Sequence, residues 1–99
     1  MKPFAESLRE MRRLVILRLL NEQHGYTANH SILHAGLLTL GVASSRDDVA
    51  TDLHWLRDQG LLTLDEPVPG VWRAVLGIRG QEVATGQVVV PGVQRPSAR

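Results

Sequence analysis

The feature that most limits the fold of this chain is a helical pattern of apolar residues that changes into a strand pattern at Gly60. In the segment "SSRDDVATDLHWLRDQGLLTL", Ser45 followed by Asp48 three residues later is typical of a capping box at the start of a helix. Apolar residues then recur at the spacing of one buried helical face, namely Val49, Leu53 and Leu56. Because the apolar run "LLTL" directly follows Gly60, we expect a strand to begin where this helix ends.

Two further helices are predicted before this segment. Residues 4–23 contain no internal glycine or proline, and five apolar side chains fall on one face of a helix there, namely Phe4, Leu8, Met11, Val15 and Leu19. After a turn at Gly25, Thr27 is a candidate N-cap for a shorter helix that ends at Gly41. The sequence therefore predicts three helices within about sixty residues.

Strand and turn signals dominate after Gly60. The segment "DEPVPG" holds two prolines and a glycine, which indicates a turn between "LLTL" and the β-branched and aromatic run "VWRAVLGI". The segment "RGQEVATG" then predicts a short last helix. We expect one α+β domain over residues 1–86, followed by an extended, mobile tail over residues 87–99.

This order of elements resembles the winged helix-turn-helix fold, in which three helices precede a two-stranded β wing. The segment "DVATDLHWLRDQGLLTL" resembles the recognition helix and first wing strand of ArsR-like and MarR-like regulators. The segment "LGIRGQEVATG" is similar to the step from a wing strand into their closing helix, and the two likenesses cover most of residues 10–86. The chain length and the ending "VVVPGVQRP" also resemble small winged-helix proteins encoded in Mu-like prophages.

The resemblance implies a protein that binds double-stranded DNA and controls transcription. The helix after Ser45 would enter the major groove, and the wing would lie near phosphates. The residues expected to contact DNA are Arg46, Thr51, His54, Arg57 and Arg73. Further basic side chains on the first helix would lie near the phosphate backbone, namely Arg9, Arg12 and Arg13.

The charge of the expected recognition helix argues against DNA. Residues 41–60 carry a net charge of −2, whereas residues 1–20 carry +3. Asp47 and Asp48 lie in the first helical turn, where carboxylates stabilise the free amides, but Asp52 and Asp58 have no such explanation. The acidic helix also fits a second hypothesis, in which a winged-helix module binds another phage protein in assembly or packaging without binding DNA.

The second half of the first helix is apolar on nearly all sides. Leu14, Leu17 and Leu20 lie away from the face that begins at Phe4. Either this helix is sandwiched inside its own domain, or these three leucines contact a second copy of the chain. The second alternative predicts a homodimer.

Patterns for catalysis, metal binding and membrane insertion are weak or absent in the sequence. It has no cysteine and no nucleophile-elbow, phosphate-binding or dinucleotide-binding glycine pattern, so we expect neither an enzyme nor a cofactor. His30 and His34 have the spacing of two metal ligands on a helix, but two ligands do not complete a site and we expect no metal. The apolar stretch "LVILRLL" is too short to span a bilayer, so we expect a cytoplasmic protein with no membrane partner.

Overall fold

Four α-helices and a three-stranded antiparallel sheet make up the fold in the computed structural model, which describes residues 1–97. The elements in chain order are α1 (Phe4–Asn21), β1 (Thr27–Asn29), α2 (His30–Thr39), α3 (Arg46–Asp58), β2 (Leu62–Val68), β3 (Val71–Leu76) and α4 (Ile78–Ala84). The predicted α+β class is confirmed. Among the helices of residues 1–97, none combines the length and the apolar character needed to cross a membrane.

The sheet has one strand more than the sequence predicted. β3 lies in the middle, between β1 and β2, and Thr27 of β1 pairs with Val75. The hydroxyl of Thr27 donates to the Ala74 carbonyl at 3.0 Å, so this residue is part of the sheet and not the helix cap expected from the sequence. The cap of α2 is Asn29, whose side chain accepts a hydrogen bond from the amide of Ile32 at 2.9 Å. A three-residue strand was missed because its pairing partner lies far along the chain.

The step from α3 to the hairpin follows the sequence prediction. The Ser45 hydroxyl accepts a hydrogen bond from the Asp48 amide at 3.0 Å, and the Asp48 carboxylate accepts one from the Ser45 amide at 2.9 Å. Gly60 turns the chain with a φ of 76°, a value that glycine adopts without strain. The two strands then pair from Leu62 opposite Leu76, with an irregularity between Asp65 and Val68.

The core lies between the helices and the sheet, and the α1 face that begins at Phe4 lies only at its edge, with Leu8, Val15 and Leu19 half-buried. Phe4 is 78% exposed and Met11 37%, although the sequence placed both on the buried face. The second half of α1 is apolar on most sides, so residue spacing alone does not tell which side meets the rest of the domain. Only the packing of the other elements decides that.

The three leucines expected at a dimer interface belong to this core. Leu14, Leu17 and Leu20 are 4%, 0% and 0% exposed in a single chain. They leave almost no side-chain surface for a second copy to contact. The alternative in which α1 is sandwiched inside its own domain therefore accounts for all three.

Residues 87–97 pack against the domain instead of forming a mobile tail. Val90 and Val93 are buried in the same apolar cluster as the leucines of α1. The amide of Gln94 donates to a carbonyl of α1 at 3.2 Å. Folded structure therefore continues past the predicted boundary at residue 86, and residues 98–99 of the expected tail lie outside the described residues.

Candidate nucleic-acid interface

One side of α3 is left open by the packing of the domain. Val49, Leu53 and Leu56 are fully buried, whereas Thr51 and Asp58 are exposed. We call this open side the α3 face, which comprises Arg46, Asp47, Thr51, His54, Arg57 and Asp58. The β2–β3 hairpin follows α3 in the chain and packs against it, so the α3 face and the hairpin form a candidate interface.

The two arginines of the α3 face are held by weak contacts at the surface. Arg46 donates a hydrogen bond to the hydroxyl of Ser31 on α2. Arg57 donates to the Asp58 carboxylate from Nε at 3.2 Å and from Nη2 at 3.0 Å, and both side chains of this pair are exposed. Exposed ion pairs contribute only about 0–1 kcal/mol, and a single hydrogen bond contributes about 0.5–1.5 kcal/mol. Both guanidinium groups can therefore turn toward a phosphate at small cost.

His54 is directed toward the hairpin. Its Nδ1–H donates to the Ala50 carbonyl at 2.7 Å, and its ring lies edge-on to Trp72 with 4.8 Å between the ring centroids. The backbone of Trp72 is in turn tied to α2, because its amide donates to Nδ1 of His30 at 3.1 Å. His54 therefore holds the hairpin beside α3. Its Nδ1 is already bonded to the Ala50 carbonyl, so less of the ring can contact a ligand.

Arg73, the basic residue expected on the wing, forms an ion pair within the hairpin. It lies opposite Asp65 in the strand register and donates to that carboxylate from Nε at 3.0 Å and also from Nη2. The hydrogen bond to Asp65 raises the pKa of Arg73 above its ordinary value, and the nearby negative charge adds to this effect. Glu66 accepts a hydrogen bond from the Gly70 amide at 2.7 Å, so the turn of the hairpin is acidic.

Asp52, the acidic residue that the sequence left unexplained, is fully buried between α3 and α1. Its Oδ1 accepts a hydrogen bond from Nε of Arg13 at 3.1 Å, and its Oδ2 accepts one from Nε of Arg12. These two arginines are only 5% and 9% exposed, so they do not supply the phosphate contacts expected from the first helix. Removing charges from water is costly, and here each buried charge has an opposite partner.

Arg13 also connects α1 to the C-terminal segment. The guanidinium of Arg13 lies 4.0 Å from the ring centroid of Trp55, and its Nη1 donates to the Gly92 carbonyl at 3.0 Å. This buried cluster was not found in the sequence, but a signal for it was present. Asp52 follows Val49 by three residues and precedes Leu56 by four, which is the spacing of the buried stripe of α3.

Asp48 also has a structural role. The hydrogen bond from the Ser45 backbone lowers the pKa of Asp48, and the Ser45 hydroxyl and the charge of Arg12 act in the same direction against partial desolvation. With Asp48 in the capping box and Asp52 in the core, the acids left on the open side of α3 are Asp47 and Asp58. The arginines there are equal in number, so the α3 face carries no net charge.

His30 and His34, the two candidate metal ligands, have backbone partners. His30 is bound to the hairpin as described above, and Nε2 of His34 donates to the Ser44 carbonyl at 2.9 Å. Within residues 1–97, no group of three or more histidine, aspartate or glutamate side chains is placed to hold a metal ion. Both histidines connect α2 to neighbouring segments.

Sequence similarity links the chain to a phage protein and to a bacterial protein. The "uncharacterized protein gp26" of Escherichia phage Mu is 45% identical over 92 residues, which cover 93% of this chain and 94% of the phage protein. An "uncharacterized protein" of Haemophilus influenzae is 50% identical over 62 residues, which cover 63% of this chain and 60% of that protein. No family model and no solved structure gives a significant match.

Proposed function

We propose that this chain, which belongs to the family of phage Mu gp26, is a winged helix-turn-helix protein that binds duplex DNA. The order of elements supports this assignment, because α2 and α3 are followed directly by the β2–β3 hairpin. In this assignment α3 is the recognition helix and the hairpin is the wing. Control of transcription in a phage or prophage is the role that we propose for it.

The observation that carries the proposal is the balanced charge of the α3 face. The sequence gives α3 twice as many aspartates as arginines, which would repel phosphates. Because Asp52 is buried and Asp48 caps the helix, half of this acidic charge has a structural role. What is left is an open, neutral helix face of the kind that fits the major groove.

The same charges predict that binding is weak and depends modestly on salt. Three arginines lie on the α3 face and the hairpin, namely Arg46, Arg57 and Arg73. If each neutralises one phosphate, the logarithm of the binding constant falls with the logarithm of salt concentration with a slope of about −3. Thr51 and Arg46, near the N-terminal end of α3, are the residues we expect to contact base edges, with His54 restricted by its contact with the hairpin.

The second candidate function is protein recognition in phage assembly or packaging, and the hairpin supports it. The carboxylate of Asp65 forms an ion pair with Arg73, and Glu66 adds a further negative charge beside the turn. An acidic hairpin of this kind would bind a basic protein surface more readily than a phosphate backbone. In this case α3 would serve the protein interface, and duplex DNA would not bind.

The experiment that separates the two functions is a titration of ¹⁵N-labelled protein with a mixed-sequence DNA duplex at low and at moderate salt. For DNA binding we expect amide shifts at residues 46–58 and around Arg73 that become smaller as salt increases. A complete lack of shifts at low salt would contradict DNA binding, because even non-specific contacts are strong there. Shifts confined to other parts of the chain would remove α3 from the interface.

Three further properties stay proposals. We propose that the protein is not an enzyme, that it acts in the cytoplasm and that it functions as a homodimer. A dimer would supply a second recognition helix and so compensate for the few phosphate contacts of one copy. Because Leu14, Leu17 and Leu20 are in the core, the dimer needs another surface.

A further inference from the structure

An apolar stripe runs along α1 at the edge of the core. Its members are separated by four, three, four and four residues, so they form one line on the helix surface. They are Phe4, Leu8, Met11, Val15 and Leu19. Phe4 and Met11 are exposed, whereas Leu8, Val15 and Leu19 are half-buried at the edge of the core, so the stripe is only partly covered by the described residues.

The stripe ends in a groove between α1 and α2. This groove has a volume of about 370 Å³, and it is lined by Val15, Leu19, Gly36 and Leu40, with Arg18 and Glu22 on its α1 side. The two helices approach closely beside it, since a Cβ atom at Gly36 would lie 2.9 Å from Cδ1 of Leu19. The α1 stripe thus has an exposed aromatic side chain near one end and an apolar groove at the other.

We infer that the α1 stripe is the interface with a second copy of this chain, whose α1 runs antiparallel. If two helices spanning Phe4–Asn21 overlap over their full length, Phe4 lies opposite Asn21 of the partner subunit and reaches the groove there. Met11 then lies next to Val15 of the partner subunit. Both contacts occur twice because the two-fold axis repeats them, so one surface is complementary to itself.

The charges at the two ends of α1 favour this antiparallel arrangement. Glu22 is exposed beside the groove, and it would lie close to the N-terminal end of the partner's helix. That end is positive because of the helix dipole, and its N-cap, Pro3, supplies no side-chain acceptor. Parallel helices would instead place Glu22 beside Glu22 of the partner subunit and Arg18 beside Arg18 of the partner subunit, which is repulsive.

The dimer uses no residue of the α3 face or the hairpin. Its test is therefore independent of the titration with DNA, and either result can be obtained without the other. The proposed interface also differs from the one that the sequence predicted, because it uses the side of α1 opposite to Leu14, Leu17 and Leu20.

The first test is sedimentation equilibrium of the wild-type chain and of a Phe4→Glu variant. We expect the wild type to dimerise and Phe4→Glu to weaken the dimer at least tenfold, because a carboxylate cannot enter the apolar groove without losing its hydration. The matched control is Ile78→Glu on α4, since Ile78 is 76% exposed and Phe4 is 78% exposed. This control should dimerise like the wild type, and circular dichroism should show all three proteins folded.

The second test locates the interface by disulfide cross-linking, for which the chain is suited because it has no cysteine. An equimolar mixture of Met11→Cys and Val15→Cys variants should form the mixed disulfide faster than either variant alone forms a disulfide with itself. Faster self-cross-linking of Met11→Cys would indicate parallel helices and overturn the arrangement. A wild-type chain that stays monomeric at its highest soluble concentration, or a Phe4→Glu dimer as strong as that of Ile78→Glu, would overturn the interface.

Discussion

At the scale of single residues, the carboxylate of Asp52 determines which arginines are buried, because it pairs with two of them. The sequence contains eleven arginine and lysine side chains and ten aspartate and glutamate side chains. The buried cluster around Asp52 contains two of the basic side chains, Arg12 and Arg13, and one acidic side chain, Asp52 itself. Nine of each are left outside it, so the small positive charge of the chain is not available to attract an anionic partner. A residue that looked like a surface acid on a recognition helix is thus the counter-ion of two core arginines.

Asp52→Asn tests the role of this buried cluster. The substitution keeps the size of the side chain but leaves Arg13 buried without a counter-ion and Arg12 with only the Asp48 carboxylate at 3.8 Å. We therefore expect the free energy of unfolding to fall by about 3–5 kcal/mol. Urea denaturation would measure it. Asp58→Asn, which changes an exposed pair, should alter stability by less than about 0.5 kcal/mol, and equal effects for the two variants would contradict a buried ionic cluster.

Asp48 connects the helix cap to acid stability. The hydrogen bond from the Ser45 backbone lowers the pKa of Asp48 in the folded state. The ionised carboxylate therefore stabilises the fold fully at pH values above its ordinary pKa of 3.8. That contribution is lost as pH falls through the lower pKa of the folded state. We therefore expect an Asp48→Asn variant to lose less stability in acid than the wild type does.

Urea denaturation at a series of pH values from neutral to below 3.8 would measure this difference. The control is Asp47→Asn, which lies in the same helical turn and leaves the capping box intact. An identical pH dependence in the wild type and the Asp48→Asn variant would show that the cap does not depend on the charge of Asp48.

At the scale of elements, the C-terminal segment acts as a connection between α1 and α3. Arg13 of α1 donates to the carbonyl of Gly92, and the ring of Trp55 on α3 lies against the same glycine. The orientation of α3 relative to α1 therefore depends on a segment that follows the last helix. A deletion of residues 87–97 would remove buried valines from the core and would not be neutral.

Gly92→Ala tests this connection. The new Cβ would lie 2.5 Å from Cζ2 of Trp55, and the glycine has a φ of 99°, which disfavours alanine. We expect a loss of about 2–5 kcal/mol, of which about 1–3 kcal/mol comes from overpacking and about 1–2 kcal/mol from the backbone. Gly70→Ala is the control, since its φ is 81° with nothing within 4 Å of a new Cβ. A Gly92→Ala variant no less stable than Gly70→Ala would contradict close packing of the segment.

At the scale of the whole molecule, the arrangement of charge predicts that the proposed binding of one copy to DNA is weak. Arg12 and Arg13 are in the core, and Arg73 must first leave the Asp65 carboxylate, so few cations of one copy can reach a phosphate backbone. High affinity for one operator site would have to come from two copies acting together, since effective concentration adds to the weak binding of each. The proposed dimer surface and the α3 face are therefore separate requirements for the proposed function.

The salt dependence of DNA binding measures how many phosphate contacts the arginines of the α3 face make. Arg46→Ala and Arg57→Ala should each reduce the slope of about −3 by about one unit, because each removes one phosphate contact. Fluorescence anisotropy with a labelled duplex would give these slopes. Arg18→Ala, which changes a residue at the groove of α1, should leave the salt slope of the binding constant unchanged. A larger effect on this slope from Arg18→Ala than from Arg46→Ala would show that DNA contacts another surface.

The sequence by itself determined the features of this protein that depend on neighbouring residues. The capping box at Ser45, the end of α3 before Gly60 and the presence of a hairpin after it are set by side chains within a few positions of each other. Their backbone preferences and hydrogen bonds operate locally, so the start and end of α3 and the change from helix to strand could be predicted. The segment "DEPVPG" was predicted as a turn, but β2 extends to Val68, so only the last two residues of the segment form the turn.

Only the tertiary structure decided which side of α1 is buried, that β1 joins the sheet and that Asp52 belongs to the core. The reason is the distance along the chain between the groups that interact. Arg12 and Asp52 are separated by 40 positions and Arg13 and Gly92 by 79, and no local pattern links residues so far apart. Burial is a property of the partners that a side chain meets after folding, and those partners here come from α1, α3 and the C-terminal segment together.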